Sequence, residues 1–311
     1  MKKMVNATHI EGALYQHDLA LKKSGENSKN PGTEFISGNI EIATDDAGIN
    51  IVPVHFTYVT ATTAKGSANA TFNVLKNIID GVYKTVMTDG ADNATMLRVD
   101  SAIGLNEFYT DRNGNEELVS VKRNEGGFVH VTPTIEPDER KRNTFECDIV
   151  INHVIHVDAD EEKGTPDKAT VKGVIFNYRK ELMPVEFSAI NPKAIAYFED
   201  LGASNSNPVF TKIRGRQISE SIVRRVEEES AFGEPSIREY KSTKKDFVIT
   251  WAQPEIYDWD EETTITAREL TEALAAREIA LAEMKRRSDE YKASQGKAPA
   301  NAAPAPGAFN F

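Results

Sequence analysis

Residues 168–219 read KATVKGVIFNYRKELMPVEFSAINPKAIAYFEDLGASNSNPVFTKIRGRQIS, and the order of elements within them decides the fold. Ala169–Tyr178 and Leu182–Ile190 are rich in Val, Ile and Phe, alternate partly with period 2, and are separated only by charged residues. Both read as strands. Asn191-Pro192 is a helix start, because Asn caps free N–H groups and Pro at the first helical position has no hydrogen bond to lose. Lys193–Leu201 continues that helix, and Gly202 stands where a left-handed terminating residue is wanted. Pro208–Ser219 is extended again. Its Lys212, Arg214 and Arg216 recur at every second residue, so they share one strand face. Three cations on one face beside aromatics form a seat for a polyanion.

A length of 311 residues favours two compact domains over one. Aromatics make up 8% of the chain, enough for cores, and no apolar run approaches the ~20 residues of a membrane-spanning helix. The N-terminal MKKMVNATHIEG lacks the apolar stretch of a secretion signal, so a cytoplasmic location is expected. The single Cys147 rules out an internal disulfide, and with six scattered histidines it leaves no zinc set. Neither a metal nor a cofactor is expected. The net charge of −11 excludes a uniformly basic nucleic-acid binder but leaves room for a local basic face.

Upstream, His9–Lys23 reads as a helix or a long strand, Phe35–Thr44 and Ile49–Thr60 alternate as a hairpin, and Ala68–Asp80 has helical spacing ending at Gly81. Met96–Thr110 is extended, Asn113-Gly114 favours a tight turn, and Glu117–Lys122 returns, with Phe128–Val131 beyond Gly126-Gly127. Phe145–Val157 begins a second series, which continues through the quoted stretch to Asp246–Tyr257. If His9–Lys23 is a strand, both series run strand, strand, strand, helix, strand, strand. The expected domains are residues 1–133 and 143–260, with a linker at 134–142. A capping box at Thr266-Ala267-Arg268-Glu269 opens a C-terminal helix within 261–293. Its 3-4 spaced seam, interrupted by Arg277 and Ser288, offers a surface for self-association. Residues 294–311, rich in Ala and Pro and ending Phe309-Asn310-Phe311, read as a disordered tether.

Five strands with a helix between the third and fourth is the order of an OB-fold barrel. The fold class is therefore mostly β, with two OB-like five-stranded barrels, a C-terminal helix and a disordered tail. With FISGNIEIAT, NIVPVHFTYVT, LRVDSAIGLNEFYTDRNGNEELVSV and FTKIRGRQIS as its strand segments, the chain resembles single-stranded DNA-binding proteins of the bacteriophage type. The resemblance implies sequence-independent, non-catalytic coating of single-stranded DNA in phage replication or recombination, in the host cytoplasm. It also implies recruitment of replication or recombination proteins through Phe309 and Phe311. The tail departs from bacterial relatives in having no acid among its last residues. A virion capsid or tail component, or a recombination accessory protein that binds a partner and not DNA, would also suit two β-domains with an assembly helix.

The candidate DNA contacts follow from this order. Lys212, Arg214, Arg216, Arg224 and Arg225 would form a phosphate track on the fourth strand of the second barrel and its following loop, opposed by Glu227-Glu228-Glu229. Tyr178 and Arg179 sit at the tip between its second and third strands. Phe56 and Tyr58 share a face in the first barrel and read as core or as stacking platforms, and one of Phe108 and Tyr109 should point outward. His153 and His156 face opposite sides of a strand and cannot chelate together, while Asp158–Glu162 lacks the spacing of a calcium loop. With no Gly-rich phosphate loop, nucleophile elbow or HExxH motif, the chain reads as a non-enzyme.

Overall fold

The computed structural model describes residues 4–112, 115–160, 166–228, 236–259 and 265–295. The first half contains strands β1 (Asn6–His17), β2 (Ala20–Lys23), β3 (Glu34–Ala43) and β4 (Ile51–Thr60), helices α1 (Ala70–Ile79) and α2 (Val86–Asp89), and strands β5 (Met96–Arg112) and β6 (Asn115–Val131). The second contains β7 (Asn143–Val157), β8 (Lys168–Phe176), β9 (Leu182–Ala189), α3 (Pro192–Asp200), β10 (Val209–Glu228), β11 (Ser236–Ala252) and finally α4 (Ala267–Gln295).

Strand pairing closes each half into a ring. β1 pairs antiparallel with both β3 and β5, β3 with β4, β4 runs parallel to β6, and β6 returns along β5. In the second half β7 pairs with β8 and β10, β8 with β9, β9 runs parallel to β11, and β11 pairs with β10. The same five-stranded ring thus occurs twice, with α1 or α3 between its third and fourth strands, as an OB fold requires. Each ring has its own core. Ile10, Ile40, Val54, Phe56 and Leu97 fill the first, and Phe145, Phe187, Phe247 and Ile249 the second. Phe145 and Phe187 stack at 5.1 Å, each ring adding the burial of a large aromatic.

α3 starts where the sequence places it, and α1 starts at Ala70, two residues after the expected Ala68. Asn69 and Asn191 accept from the N–H groups of Thr71 and Lys193, and Pro192 occupies the first turn of α3. His9–Lys23 is two strands, bent at Asp18, whose carboxylate accepts from the Asn39 side chain at 2.8 Å.

The last two strands of each ring run longer than expected and form two-stranded ribbons. Glu117–Lys122 and Phe128–Val131 belong to one strand, because Gly126-Gly127 is a bulge and not a break. Between Asp100 and Ala102 on β5, β6 carries one residue more, with φ of 67° and 112° at the two glycines. A Cβ on Gly127 would stand 2.3 Å from the Asp100 carbonyl oxygen. Likewise β10 continues through Arg224 and Arg225, paired with Tyr240 and Glu239, where a loop was expected.

The barrels are fused by their first strands. β1 pairs antiparallel with β7 from Asn6↔Cys147 to Ile10↔Asn143, so all eleven strands form one sheet. Within the expected linker, Arg142 is 5% exposed; its guanidinium donates to Asp46 at 2.6 Å, and the Glu11 N–H donates to its carbonyl. A second junction is polar and buried. Asn124 and Gln217 exchange amide hydrogen bonds at 2.7 and 2.8 Å, and the Asn143 amide donates to the Gln217 carbonyl at 2.7 Å.

In α4 the capping box forms: the Thr266 N–H donates to Glu269 at 3.0 Å and the Glu269 N–H to Thr266 Oγ1 at 3.2 Å. Ile265, fully buried, anchors the helix against Phe176, Leu182 and Phe210. Part of its 3-4 seam packs on the chain itself, with Leu270 against the Phe176–Leu182–Phe210 cluster and Leu281 on the groove, whereas Leu274 and Tyr291 are 44% and 66% exposed. Arg277, read as an interruption, is the anchor: it pairs bidentately with Glu107 of β5 at 2.6 and 3.1 Å and donates to the Leu182 carbonyl. Lys285 and Lys292 both pair with Glu116 of β6. No described helix is long and apolar enough to cross a membrane.

Replacing Gln217 by Leu strips the 2%-exposed Asn124 amide of two hydrogen bonds. Urea unfolding should register a loss of about 1–3 kcal/mol. A change within about 0.5 kcal/mol, the range of an ordinary surface substitution, would mean that the pair does not fasten the barrels.

Candidate nucleic-acid interface

Along β8 the alternation is regular: Ala169, Val171 and Ile175 are buried in the core, so Lys168, Thr170 and Lys172 stand on the outer face. On β9, Pro184, Glu186 and Ser188 do the same. This outer face, formed by the second and third strands of the ring, floors a groove of about 860 Å³. One wall is the β5–β6 ribbon of the first barrel, through Leu105, Glu107, Ser120 and Lys122. The other is α4, through Leu274, Arg277 and Leu281, while Lys245 and Asp246 of β11 also line the groove.

Five cations and four carboxylates face this space. Lys172 pairs with Glu186 at 2.6 Å, Lys168 approaches Asp246 at 3.9 Å, and Arg277 pairs with Glu107. Lys122 differs. Its Nζ lies 4.5 Å from the centre of the Phe187 ring and 4.3 Å from that of Phe247, and it donates to the Glu186 carbonyl. Burial pushes its pKa down to about 8, against the opposing pull of Asp246, Cys147 and Glu186. Burial pushes the Cys147 thiol up, so that buried side chain stays neutral.

The residues singled out in the sequence are distributed differently. Lys212, Arg214 and Arg216 recur along β10, but β7 lies alongside with Asp148 opposite Lys212, Glu146 opposite Arg214 and Thr144 opposite Arg216. Lys212 reaches Glu146 at 3.1 Å and Asp148 at 3.8 Å, and Arg214 reaches Glu146 at 2.8 Å while covering the Trp251 ring at 4.6 Å. Burial raises the Glu146 pKa, but hydrogen bonds from Lys212 and Arg214 outweigh it and hold the carboxyl below its usual range. Lys212 and Arg214 therefore belong to a cross-strand ion-pair ladder, whereas Arg216 has no carboxylate partner among the described residues and its Nε is buried without a hydrogen bond. Arg224 and Arg225 lie on the extended part of the β10–β11 ribbon, and their side chains fall outside what is described.

Tyr178 is 82% exposed at the tip of the β8–β9 hairpin, where Arg179 Nε donates to its hydroxyl at 2.8 Å. Phe56 and Tyr58 do not share a face. Ile36 pairs with Val59 and Gly38 with Phe56, so β4 carries one extra residue that turns Tyr58 outward while Phe56 stays in the core with no exposed surface. Phe56 thus offers no face to a base, whereas Tyr58, beside Phe35 at 4.4 Å, does. Phe108 is exposed on the ribbon face turned away from α4, and Tyr109 lies on the other face near Lys285. Phe309 and Phe311 lie outside the described residues.

Sequence reasoning missed the groove cations Lys122, Lys168 and Lys172, because they come from strands that meet only in the fold. The exposed Phe128 and Trp251 were missed as well. Among the described residues one group has metal-ligand spacing: His156, Asp158 and Asp167, with ligand atoms within 4.8 Å of one another. All three are exposed, and His156 is engaged by Glu199 at 2.6 Å, a hydrogen bond that raises its pKa.

Known proteins give the following likenesses. Wild-type single-stranded DNA-binding protein from Thermus aquaticus is 10% identical, with 84% of this chain and 97% of that one covered at a TM-score of 0.44. A deletion mutant of that protein gives 11% identity, coverage of 84% and 100%, and a TM-score of 0.45. A replication protein A heterotrimer bound to single-stranded DNA gives 9% identity, coverage of 91% and 70%, and a TM-score of 0.22. No curated protein matches the sequence. The YorF family matches it over residues 5–287, most of both barrels and of α4, and the chain therefore belongs to the YorF family.

Proposed function

We propose that this protein binds single-stranded DNA without catalysis and without reading its sequence. One observation carries the reading: the face that an OB fold commonly uses for oligonucleotides, its second and third strands, floors a long groove lined by cations and closed at its sides by a ribbon and a helix. Walls on both sides suit one strand with unstacked bases better than a duplex. Tyr178 extends the hairpin that forms the floor and is 82% exposed; Arg179 lies over one face of its ring at 5.2 Å, which leaves the other face for a base to stack on. Coating of strands exposed in replication or recombination is the role this implies. A bacteriophage setting, a cytoplasmic location and recruitment of replication proteins through Phe309 and Phe311 belong to the same reading and rest on the sequence resemblance.

Fluorescence anisotropy with labelled single- and double-stranded DNA of several sequences tests this. Single strands should bind more tightly with little sequence preference, and log affinity should fall linearly with log salt by about 0.7 per neutralised phosphate. Equal affinity for duplex, or no dependence on salt, contradicts the reading.

Two variants separate the groove from the β10 stripe. Tyr178→Ala should cost about 1–3 kcal/mol of binding while leaving the melting temperature unchanged, since the ring is exposed. The pair Lys212→Ala with Arg214→Ala should change affinity by less than about threefold (~0.7 kcal/mol), because Glu146 and Asp148 already compensate both cations. The opposite ranking would move the site to the β7–β10 face.

A further inference from the structure

The groove cations are of two kinds. Lys168, Lys172 and Arg277 each face a carboxylate. Lys122 and Lys245 line the same space, and neither has an ion-pair partner among the described residues. Lys245 is exposed on β11, next to Asp246. Lys122 arrives from the first barrel, lays its ammonium against Phe187 and Phe247, and gives one proton to the Glu186 carbonyl. An ammonium has three donors. Two of them are thus without a described protein acceptor, on a cation drawn partly out of water, which is costly unless an acceptor arrives.

We infer that Lys122 and Lys245 form an anion subsite in the groove that takes a backbone phosphate of the bound strand, an assignment that rests on the single-strand reading above. The paired cations shape the groove and the two unpaired ones hold charge for the ligand. Lys122 also comes from a different barrel than the floor, so the subsite exists only while the barrels stay fused.

A pH signature follows from the surroundings of Lys122. Burial lowers its pKa to about 8; Asp246 from β11, Cys147 from β7 and Glu186 from β9 raise it, and Lys168 from β8 lowers it. Glu107 from β5 and Arg277 and Glu278 from α4 border the same groove. The ammonium is present below about pH 8 and is lost above it. A phosphate beside it favours the charged form, so strand binding takes up a proton in the window just above that value. Affinity should fall as pH rises through it.

The test uses the full chain, labelled oligo-dT and constant ionic strength, near pH 7 and near pH 9.5, where other lysines remain mostly charged. Wild-type affinity should drop about tenfold between the two. Lys122→Arg keeps its charge, so it should bind like wild type near pH 7 and lose most of the drop. Lys122→Met should bind weakly at both pH values, with thermal unfolding showing a fold at least as stable, since a desolvated charge has been removed. Lys245→Ala should weaken binding equally at both and reduce the salt slope by about 0.7. The subsite is overturned if Lys122→Arg retains the wild-type pH dependence, or if Lys122→Met binds like wild type. A wild-type chain that binds no oligo-dT at any pH or salt overturns the single-strand reading, and the subsite with it.

Discussion

The antiparallel pairing of β1 with β7 is the constraint from which the rest of the arrangement follows. A strand in a closed ring already has two neighbours, so a third can pair only where the strand outruns its ring. β1 does so at its N-terminal end, and Asn6 consolidates the crossing. Its side-chain amide donates to the Ile103 carbonyl at 2.9 Å and the Phe176 carbonyl at 3.3 Å, while its oxygen accepts from the Ile103 N–H. One residue thereby ties β1 to β5 of its own barrel and to β8 of the other. With the first strands joined this way, the β5–β6 ribbon must pass over the outer face of β8–β9. A hairpin that would otherwise be an exposed edge becomes a groove wall, and α4 closes the far side by pairing Arg277 with Glu107 on that ribbon. The groove is thus a product of the fusion and not of either barrel alone.

Charge explains how an acidic chain can carry such a site. With a net charge of −11, most of the described cations meet an acid, and the Lys212–Glu146–Arg214 ladder is the clearest case. Exposed pairs of this kind contribute little stability. What they do is cancel a local field, so a stripe that is strongly cationic in one dimension is nearly neutral in three. In the groove, Lys122 and Lys245 are the cations without an ion-pair partner among the described residues.

Much of the fold was legible in the sequence, because the barrels are built from devices that sequence states openly. Alternation marks strands with one buried face, and the Asn191 cap of α3 and the Thr266–Glu269 box mark helix starts. The ribbons were legible only in part. In β10 beyond Ser219 and in β11 before Lys245 the sequence is mostly charged and polar, so no hydrophobic period marks the strand. Faces were misassigned where a bulge intervenes: one extra residue in β4 sends Tyr58 outward and leaves Phe56 inside, and period-2 counting cannot detect it. The groove was not legible at all. Its residues lie on six strands and one helix distant in sequence, and whether a cation is free or paired depends on which strand lies next to it.

The most direct test of the account is to ask where a bound strand touches the protein. Photocrosslinking of oligonucleotides carrying 5-iododeoxyuridine to the full chain, followed by mass spectrometry of the crosslinked peptides, gives that answer. Crosslinks should concentrate in residues 168–188, Tyr178 included, and in residues 105–122 of the ribbon opposite. Crosslinks confined to the outer face of β7 and β10, around Trp251, would contradict it.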